Sequence, residues 1–181
     1  MIPMQYALRR RMLYQVDELY KYLYEPGNIH EGVTGGYAAG LSPSTTENYI
    51  STDAVFGSDY ITMSCKIVPQ QRESHYTSIV TGRSIHTERY SKIKFSFQNL
   101  STFSAYQRYF RVYLCGDANE VVFSEEISVD SSTDAETTEL NITSVNQPTY
   151  IGLMLYIPAA LFYLNGTNEV LTKITNIWLE K

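Results

Sequence analysis

The chain has 181 residues, of which 44% are hydrophobic and 18% are charged, and its formal net charge is −5. This length suits one domain with a short extension, and the hydrophobic content predicts a folded core rather than a disordered chain. The acidic balance leaves no broad basic surface for nucleic acid, and no apolar run is long enough to predict a membrane span.

The N-terminal segment predicts an amphipathic α-helix over residues 4–22. Its apolar side chains recur every three or four positions and so share one face; they are Leu8, Met12, Val16, Leu19 and Leu23. Pro26-Gly27 is expected to end the helix. Because so short a helix is marginally stable alone, its apolar face should pack against another polypeptide. We therefore predict that residues 1–26 form an anchoring or oligomerisation helix and that residues 27–181 form the main domain.

Residues 23–40 contain half of the ten glycines of the chain. Their spacing matches neither of the glycine patterns that bind phosphate, and no lysine follows at the required position. Gly27, Gly32, Gly35, Gly36 and Gly40 are instead expected to permit tight turns where the sheet begins. The segment therefore predicts no cofactor site.

Beyond Gly40 apolar and polar residues alternate, which is typical of strands. Strands are predicted at 59–68, 78–86, 92–99, 106–115, 120–129, 136–145, 150–157 and 170–180. In the last of these, Ile174 and Ile177 have opposite parity, which predicts a β-bulge near Thr175-Asn176. No alternation of strands and helices is present. The pattern predicts a mainly β protein, an antiparallel β-sandwich of jelly-roll, galactose-binding-like type, preceded by one N-terminal α-helix.

Two cysteines are present, and their parity argues against a disulfide. Cys65 lies on the apolar face of its predicted strand, whereas Cys115 has the opposite parity from Phe110, Val112 and Leu114. One thiol should therefore point into the sandwich and the other out of it.

No catalytic or metal-binding pattern stands out. The three histidines lack metal-ligand spacing, and His75 reads as a loop residue. Glu125 and Glu126 are adjacent on a predicted strand, so they should point to opposite faces and could not act together on one sugar bond. We predict no enzymatic activity, no cofactor and no metal site, with a loop cation at Asp130, Asp134 and Glu136 left open.

Aromatic residues supply the remaining candidates for contacts. The apolar turn after residue 157 contains Leu161, Phe162 and Tyr163, which either cap the sandwich itself or contact another subunit. The sixteen tyrosines reflect either sheet propensity or a surface that contacts other chains or sugars.

Two stretches carry a family resemblance: the N-terminal segment leading into YLYEPGNIHEGVTGGYAAG, and the closing VLTKITNIWLE. They resemble small virion-associated proteins of tailed bacteriophages and of prophages of Gram-positive bacteria. Such proteins join a short attachment segment to a jelly roll like that of carbohydrate-binding modules.

The resemblance implies a non-enzymatic virion component, such as a tail-fibre, baseplate or capsid-decoration protein. It would contact other virion proteins and its own copies, with a trimer as one arrangement, and would be made in the host cytoplasm without a signal peptide. The alternative is a glycan-binding module for host-surface adhesion. Sugar sites in sandwiches use exposed aromatic rings, so Tyr37, Tyr49 and Tyr106, with Tyr163, are the candidates for such a platform.

Overall fold

The computed structural model describes residues 19–35, 52–67, 75–100, 108–118, 120–129, 134–157 and 168–181. These residues form twelve strands and one short 3₁₀ helix, Thr87–Arg89. The strands are β1 (Tyr20–Glu25), β2 (Asn28–Ile29), β3 (Thr34–Gly35), β4 (Thr52–Phe56), β5 (Ile61–Ile67), β6 (His75–Val80), β7 (Lys92–Asn99), β8 (Arg108–Cys115), β9 (Val121–Val129), β10 (Ala135–Asn141), β11 (Tyr150–Ile157) and β12 (Asn168–Glu180). Within this part of the chain no helix is long and apolar enough to cross a membrane.

The strands form two sheets that pack face to face. In the seven-stranded sheet the order is β10-β7-β12-β1-β2, with β5 also paired to β12 and β4 paired to β5. In the five-stranded sheet the order is β3-β6-β11-β8-β9. All the strand pairs are antiparallel, so the prediction of a mainly β antiparallel sandwich is confirmed.

The core lies between the two sheets and consists of the side chains at every second position of the strands. Buried and half-buried residues alternate along all of β7, and its inward side chains Phe95 and Phe97 meet Phe110 of β8. The Phe110 ring centroid lies 5.0 Å from each of these rings, in edge-on contacts at 74° and 64°. Edge-on aromatic pairs add stability beyond that from burying their surface, so these three rings tie the sheets together.

The structure corrects the predicted N-terminal helix at its end. Residues 20–22 belong to β1, which pairs with the long strand β12. Leu23 is 1% exposed and packs in the core, so it cannot serve as an attachment residue. Backbone pairing with a central strand outweighed the local helical periodicity. Leu8, Met12 and Val16 lie outside the described residues, and the helix there stays a prediction.

Pro26-Gly27 forms the two-residue turn between β1 and β2 instead of ending a helix. Glu25 and Asn28 are paired across the turn, and Gly27 has a φ of 79°. A proline followed by a glycine with positive φ is the arrangement of a type II turn. Strand β1 thus belongs to the sandwich although it precedes the predicted boundary at residues 26 and 27.

Other local predictions have mixed outcomes. The register of β12 against β7 shifts between Ile174 and Asn176, which confirms the predicted bulge and lets Ile174 and Ile177 both reach the core. His75 is the first residue of β6 rather than a loop residue. The strand predicted at 78–86 ends at Val80, because the chain there leaves the sheet to cross to β7.

One cysteine points into the core between the sheets and the other points away from it, as their parity predicted. Cys65 packs in the core between the sheets, whereas Cys115 belongs to a second cluster on the outer face of the five-stranded sheet. Both thiols are free and buried, and burial raises the pKa of each above its ordinary value. Neither thiol is therefore primed as a nucleophile.

Candidate functional site

The outer face of the five-stranded sheet carries a row of tyrosines. Core residues occupy alternate positions of β8 and β11, so the residues between them face outward. Tyr156 of β11 is the cross-strand partner of both Tyr76 of β6 and Tyr109 of β8. Neighbouring strands lie about 4.8 Å apart, so these three side chains, the tyrosine row, span about 10 Å of the sheet.

Arg111 lies beside the tyrosine row and is held in two ways. Its guanidinium carbon is 5.0 Å from the ring centroid of Tyr156. Its Nε donates a hydrogen bond of 2.9 Å to Oε1 of Glu126, the cross-strand partner of Arg111 on β9, and its Nη2 contacts the same oxygen. An exposed ion pair adds little to stability, so the arrangement mainly orients polar groups next to an aromatic surface.

The other end of this face is closed. Tyr113 is fully buried, and its ring lies across Gly152 of the neighbouring strand β11. A Cβ atom at Gly152 would stand 2.0 Å from Cζ of Tyr113, so only glycine leaves room for the ring. Cys115 and Met154 are also buried there. The tyrosine row therefore lies beside a closed stretch of the face, and Tyr109 and Tyr156 in it keep part of their surface accessible.

Within the tyrosine row the three rings differ in exposure. Tyr76 is buried, whereas Tyr109 and Tyr156 keep part of their surface accessible. Arg111 and Glu126 are accessible as well. Two half-exposed rings next to a paired cation and carboxylate can pack against an apolar ring face and exchange hydrogen bonds with hydroxyl groups.

Sequence analysis did not single out Tyr109, Arg111 and Tyr156 as a site. The missing information was the pairing of β8 with β11, which no local pattern encodes. The residues proposed for a glycan platform, Tyr37, Tyr49, Tyr106 and Tyr163, lie outside the described residues, as does the contact segment with Leu161, Phe162 and Tyr163. Those proposals stay predictions.

A second aromatic group lies on the seven-stranded sheet. Tyr22 of β1 and Trp178 of β12 are cross-strand partners. Their ring centroids lie 6.3 Å apart and their ring planes are tilted by 31°. Tyr22 is 43% exposed, and Leu19, Tyr20 and Ile29 nearby are also exposed. We call Tyr20 and Tyr22, whose side chains share the outer face of β1, the exposed strip.

The neighbouring residues Glu125 and Glu126 point to opposite faces of the sheet, as predicted. Glu125 is the partner of Val112, a core residue, and Glu126 is the partner of Arg111, so the two point to opposite faces. Among the described residues no three His, Cys, Asp or Glu side chains are grouped as metal ligands. Asp130 of the suggested loop cation site lies outside them.

Comparison with known proteins shows that the fold of this chain is similar to folds of solved structures. No protein-family model matches the sequence. No curated protein matches it either. Among solved structures, a family 29 carbohydrate binding module from Piromyces equi superposes with a TM-score of 0.52 at 12% identity, covering 88% of each chain. Part of an agarase, AgWH50C, superposes with a TM-score of 0.54 at 7% identity, covering 90% of this chain and 24% of that one.

These likenesses define a class by fold. The chain is a two-sheet antiparallel β-sandwich of the type found in carbohydrate-binding modules. Identities of 12% and 7% establish the architecture alone, and function has to be argued from the site.

Proposed function

We propose that the protein is a non-catalytic glycan-binding module whose site is the accessible part of the tyrosine row. The observation that carries this proposal is Arg111, held between the ring of Tyr156 and the carboxylate of Glu126 on an outer sheet face. The fold shared with a carbohydrate-binding module supports it. The chemistry needed for a sugar, an aromatic surface with fixed polar groups, is present here.

The geometry suits a saccharide in two respects. The apolar faces of sugar rings can pack on Tyr109 and Tyr156, which keep part of their surface accessible. The guanidinium of Arg111 offers N–H donors and the carboxylate of Glu126 offers acceptors. Neighbouring sugar hydroxyls can therefore accept hydrogen bonds from the first and donate hydrogen bonds to the second.

Binding without hydrolysis is the better-supported activity. A glycosidase needs two carboxyl groups about 5–9.5 Å apart on either side of the scissile bond. Of the described strand residues on this face, only Glu126 contributes a carboxylate, since Glu125 points to the other face.

Tyr156→Ala is expected to weaken glycan binding about tenfold, because an aromatic contact contributes roughly 0.5–1.5 kcal/mol and the change also removes the support of Arg111. The full chain would be applied to a printed array of neutral and acidic oligosaccharides and to agarose beads, and affinities for any hit would be compared by titration calorimetry. Tyr22→Ala, on the other sheet, serves as the matched control and should retain the affinity. An array without hits, or a loss confined to Tyr22→Ala, would contradict the proposal.

We also propose, as a second function, that the exposed strip contacts further copies of the chain in a phage virion. The exposed side chains of Tyr20 and Tyr22 share the outer face of β1, next to the predicted attachment segment. Exposed apolar surfaces of this kind commonly mark protein contacts.

Light scattering tests the attachment proposal. The full chain should have a mass above that of the 20.7 kDa monomer, and Tyr20→Ser with Tyr22→Ser should lower it because the apolar contact is lost. Thr137→Ala, on an exposed position of the same sheet, is the control. A wild-type mass equal to the monomer would refute self-association.

A further inference from the structure

A cleft of about 310 Å³ lies at one end of the sandwich, between the start of β1 and the segment 81–91 that joins β6 to β7. Four of its seven polar lining residues are basic; the polar lining consists of Lys21, Glu31, Arg83, Ser84, His86, Arg89 and Tyr90. A volume of about 300–1,000 Å³ is usual for small-molecule sites. The tyrosine row begins at the opposite end of β6, so the cleft is a separate feature.

A close backbone contact builds the cleft wall. A Cβ atom at Gly82 would stand 2.7 Å from the carbonyl oxygen of Gly32, and the Gly82 amide donates to the carbonyl of Glu31 at 3.0 Å. Glu31 has a φ of 54°, the left-handed conformation, which costs a non-glycine residue roughly 1 kcal/mol or more. Such a cost is tolerated where the position of the side chain matters.

Glu31 uses that position to hold two cations at the cleft. Its carboxylate is mostly buried, accepts a 2.5 Å contact from Nζ of Lys21 and pairs with Nε of Arg83. Burial raises the pKa of this carboxyl, but the hydrogen bonds from Arg83 and Lys21 outweigh it and the net pKa is lowered. Glu31 is therefore ionised at neutral pH and fixes both cations.

Positive charge nevertheless exceeds negative charge around the cleft. On the far side, Oε1 of Glu88 accepts a hydrogen bond of 2.8 Å from Nδ1 of His86. The same oxygen lies 4.0 Å from Nε of Arg89. The two carboxylates, Glu31 and Glu88, thus face Lys21, Arg83, Arg89 and, when protonated, His86. This local excess occurs in a chain whose net charge is −5.

Several donors of the cleft remain available to a ligand. The contact of Arg83 with Glu31 uses Nε, and a guanidinium carries four further N–H groups. The Arg83 and Arg89 side chains are 71% and 65% exposed. The Oγ of Ser84 is buried without a hydrogen-bond partner among the described residues. A half-buried ring, that of Tyr90, supplies an apolar wall.

We propose that this cleft binds the carboxylate or sulfate group of an acidic saccharide unit, with Arg83 and Arg89 as the charged donors and Tyr90 beside the sugar ring. A planar guanidinium binds carboxylate or sulfate oxygens through paired hydrogen bonds. The saccharide part of the assignment rests on the proposed glycan-binding function, whereas the anion part stands on the cleft alone.

Titration calorimetry of the full chain with glucuronate, glucose and sodium sulfate tests the assignment. Glucuronate is expected to bind at least tenfold more tightly than glucose. Arg83→Gln should weaken glucuronate binding about tenfold, which makes its binding free energy about 1.4 kcal/mol less favourable. Lys173→Gln removes one positive charge on β12, outside both proposed sites, and should leave glucuronate affinity unchanged. Arg83→Lys keeps the charge without the paired donors and should give an intermediate loss.

Each other outcome overturns a stated part of the proposal. No glucuronate binding, or an equal loss in Arg83→Gln and Lys173→Gln with both variants folded by circular dichroism, refutes the cleft as an anion site. Sulfate that binds as tightly as glucuronate refutes the saccharide assignment. Failure of the tyrosine-row proposal would appear separately, as array binding that survives Tyr156→Ala.

Discussion

Phe110→Ala should lower the free energy of unfolding by about 3–5 kcal/mol, the range for removing a fully buried phenylalanine. Phe110 is fully buried and makes edge-on contacts with Phe95 and Phe97 of the opposite sheet. The change would leave a cavity between the sheets and remove both aromatic contacts. Urea denaturation followed by circular dichroism measures the effect.

The matched control for Phe110→Ala is Val55→Ala. Val55 is 60% exposed, so its truncation should change stability by no more than about 0.5 kcal/mol. Phe110 lies between Tyr109 and Arg111 on β8, so loosening this strand should also weaken the tyrosine row. A loss below about 1 kcal/mol in Phe110→Ala would show that the inter-sheet core relaxes around the gap, contrary to the tight packing inferred here.

Gly152→Ala should lower the free energy of unfolding by about 1–3 kcal/mol through overpacking. The added methyl would stand 2.0 Å from Cζ of Tyr113, whose buried ring would have to move. Gly35→Ala is the control, because its Cβ would make an ordinary contact at 3.5 Å with the Cβ of Ala54. Thermal and urea unfolding of both variants compare the two glycines.

A double variant isolates the cause of the Gly152 effect. In a Tyr113→Ala background the ring is gone, so Gly152→Ala should cost clearly less than in the wild type, and the difference is the coupling between the two positions. Equal costs in both backgrounds would show that the damage comes from the backbone of β11 and not from Tyr113. The space that the Tyr113 ring needs explains why the central strand β11 has a glycine at position 152.

The two proposed ligand sites divide the sandwich by chemistry. The tyrosine row offers aromatic surface with one arginine and one carboxylate that neutralise each other. The cleft offers excess positive charge and a single aromatic ring, Tyr90. A glycan with both neutral and acidic units could engage the two sites in different ways, and the variants Tyr156→Ala and Arg83→Gln separate their contributions.

The amino-acid sequence by itself determined the features that depend on local periodicity. Alternation along β7 and β11 identified core and outer faces, the parity break in β12 predicted its bulge, and the parities of Cys65 and Cys115 placed them on different faces. A period of two follows from strand geometry at each residue, so neighbouring residues are enough to reveal it.

Only the tertiary structure decided which strands meet, and with them the sites. The four-residue apolar spacing of Leu19 and Leu23 favoured a helix, yet β1 is a strand because β12 offers its backbone a partner far along the chain. The tyrosine row joins β6, β8 and β11, and the cleft joins Lys21 and Glu31 to the segment 81–91. Such contacts depend on pairings between distant residues, which the pattern of adjacent side chains does not encode.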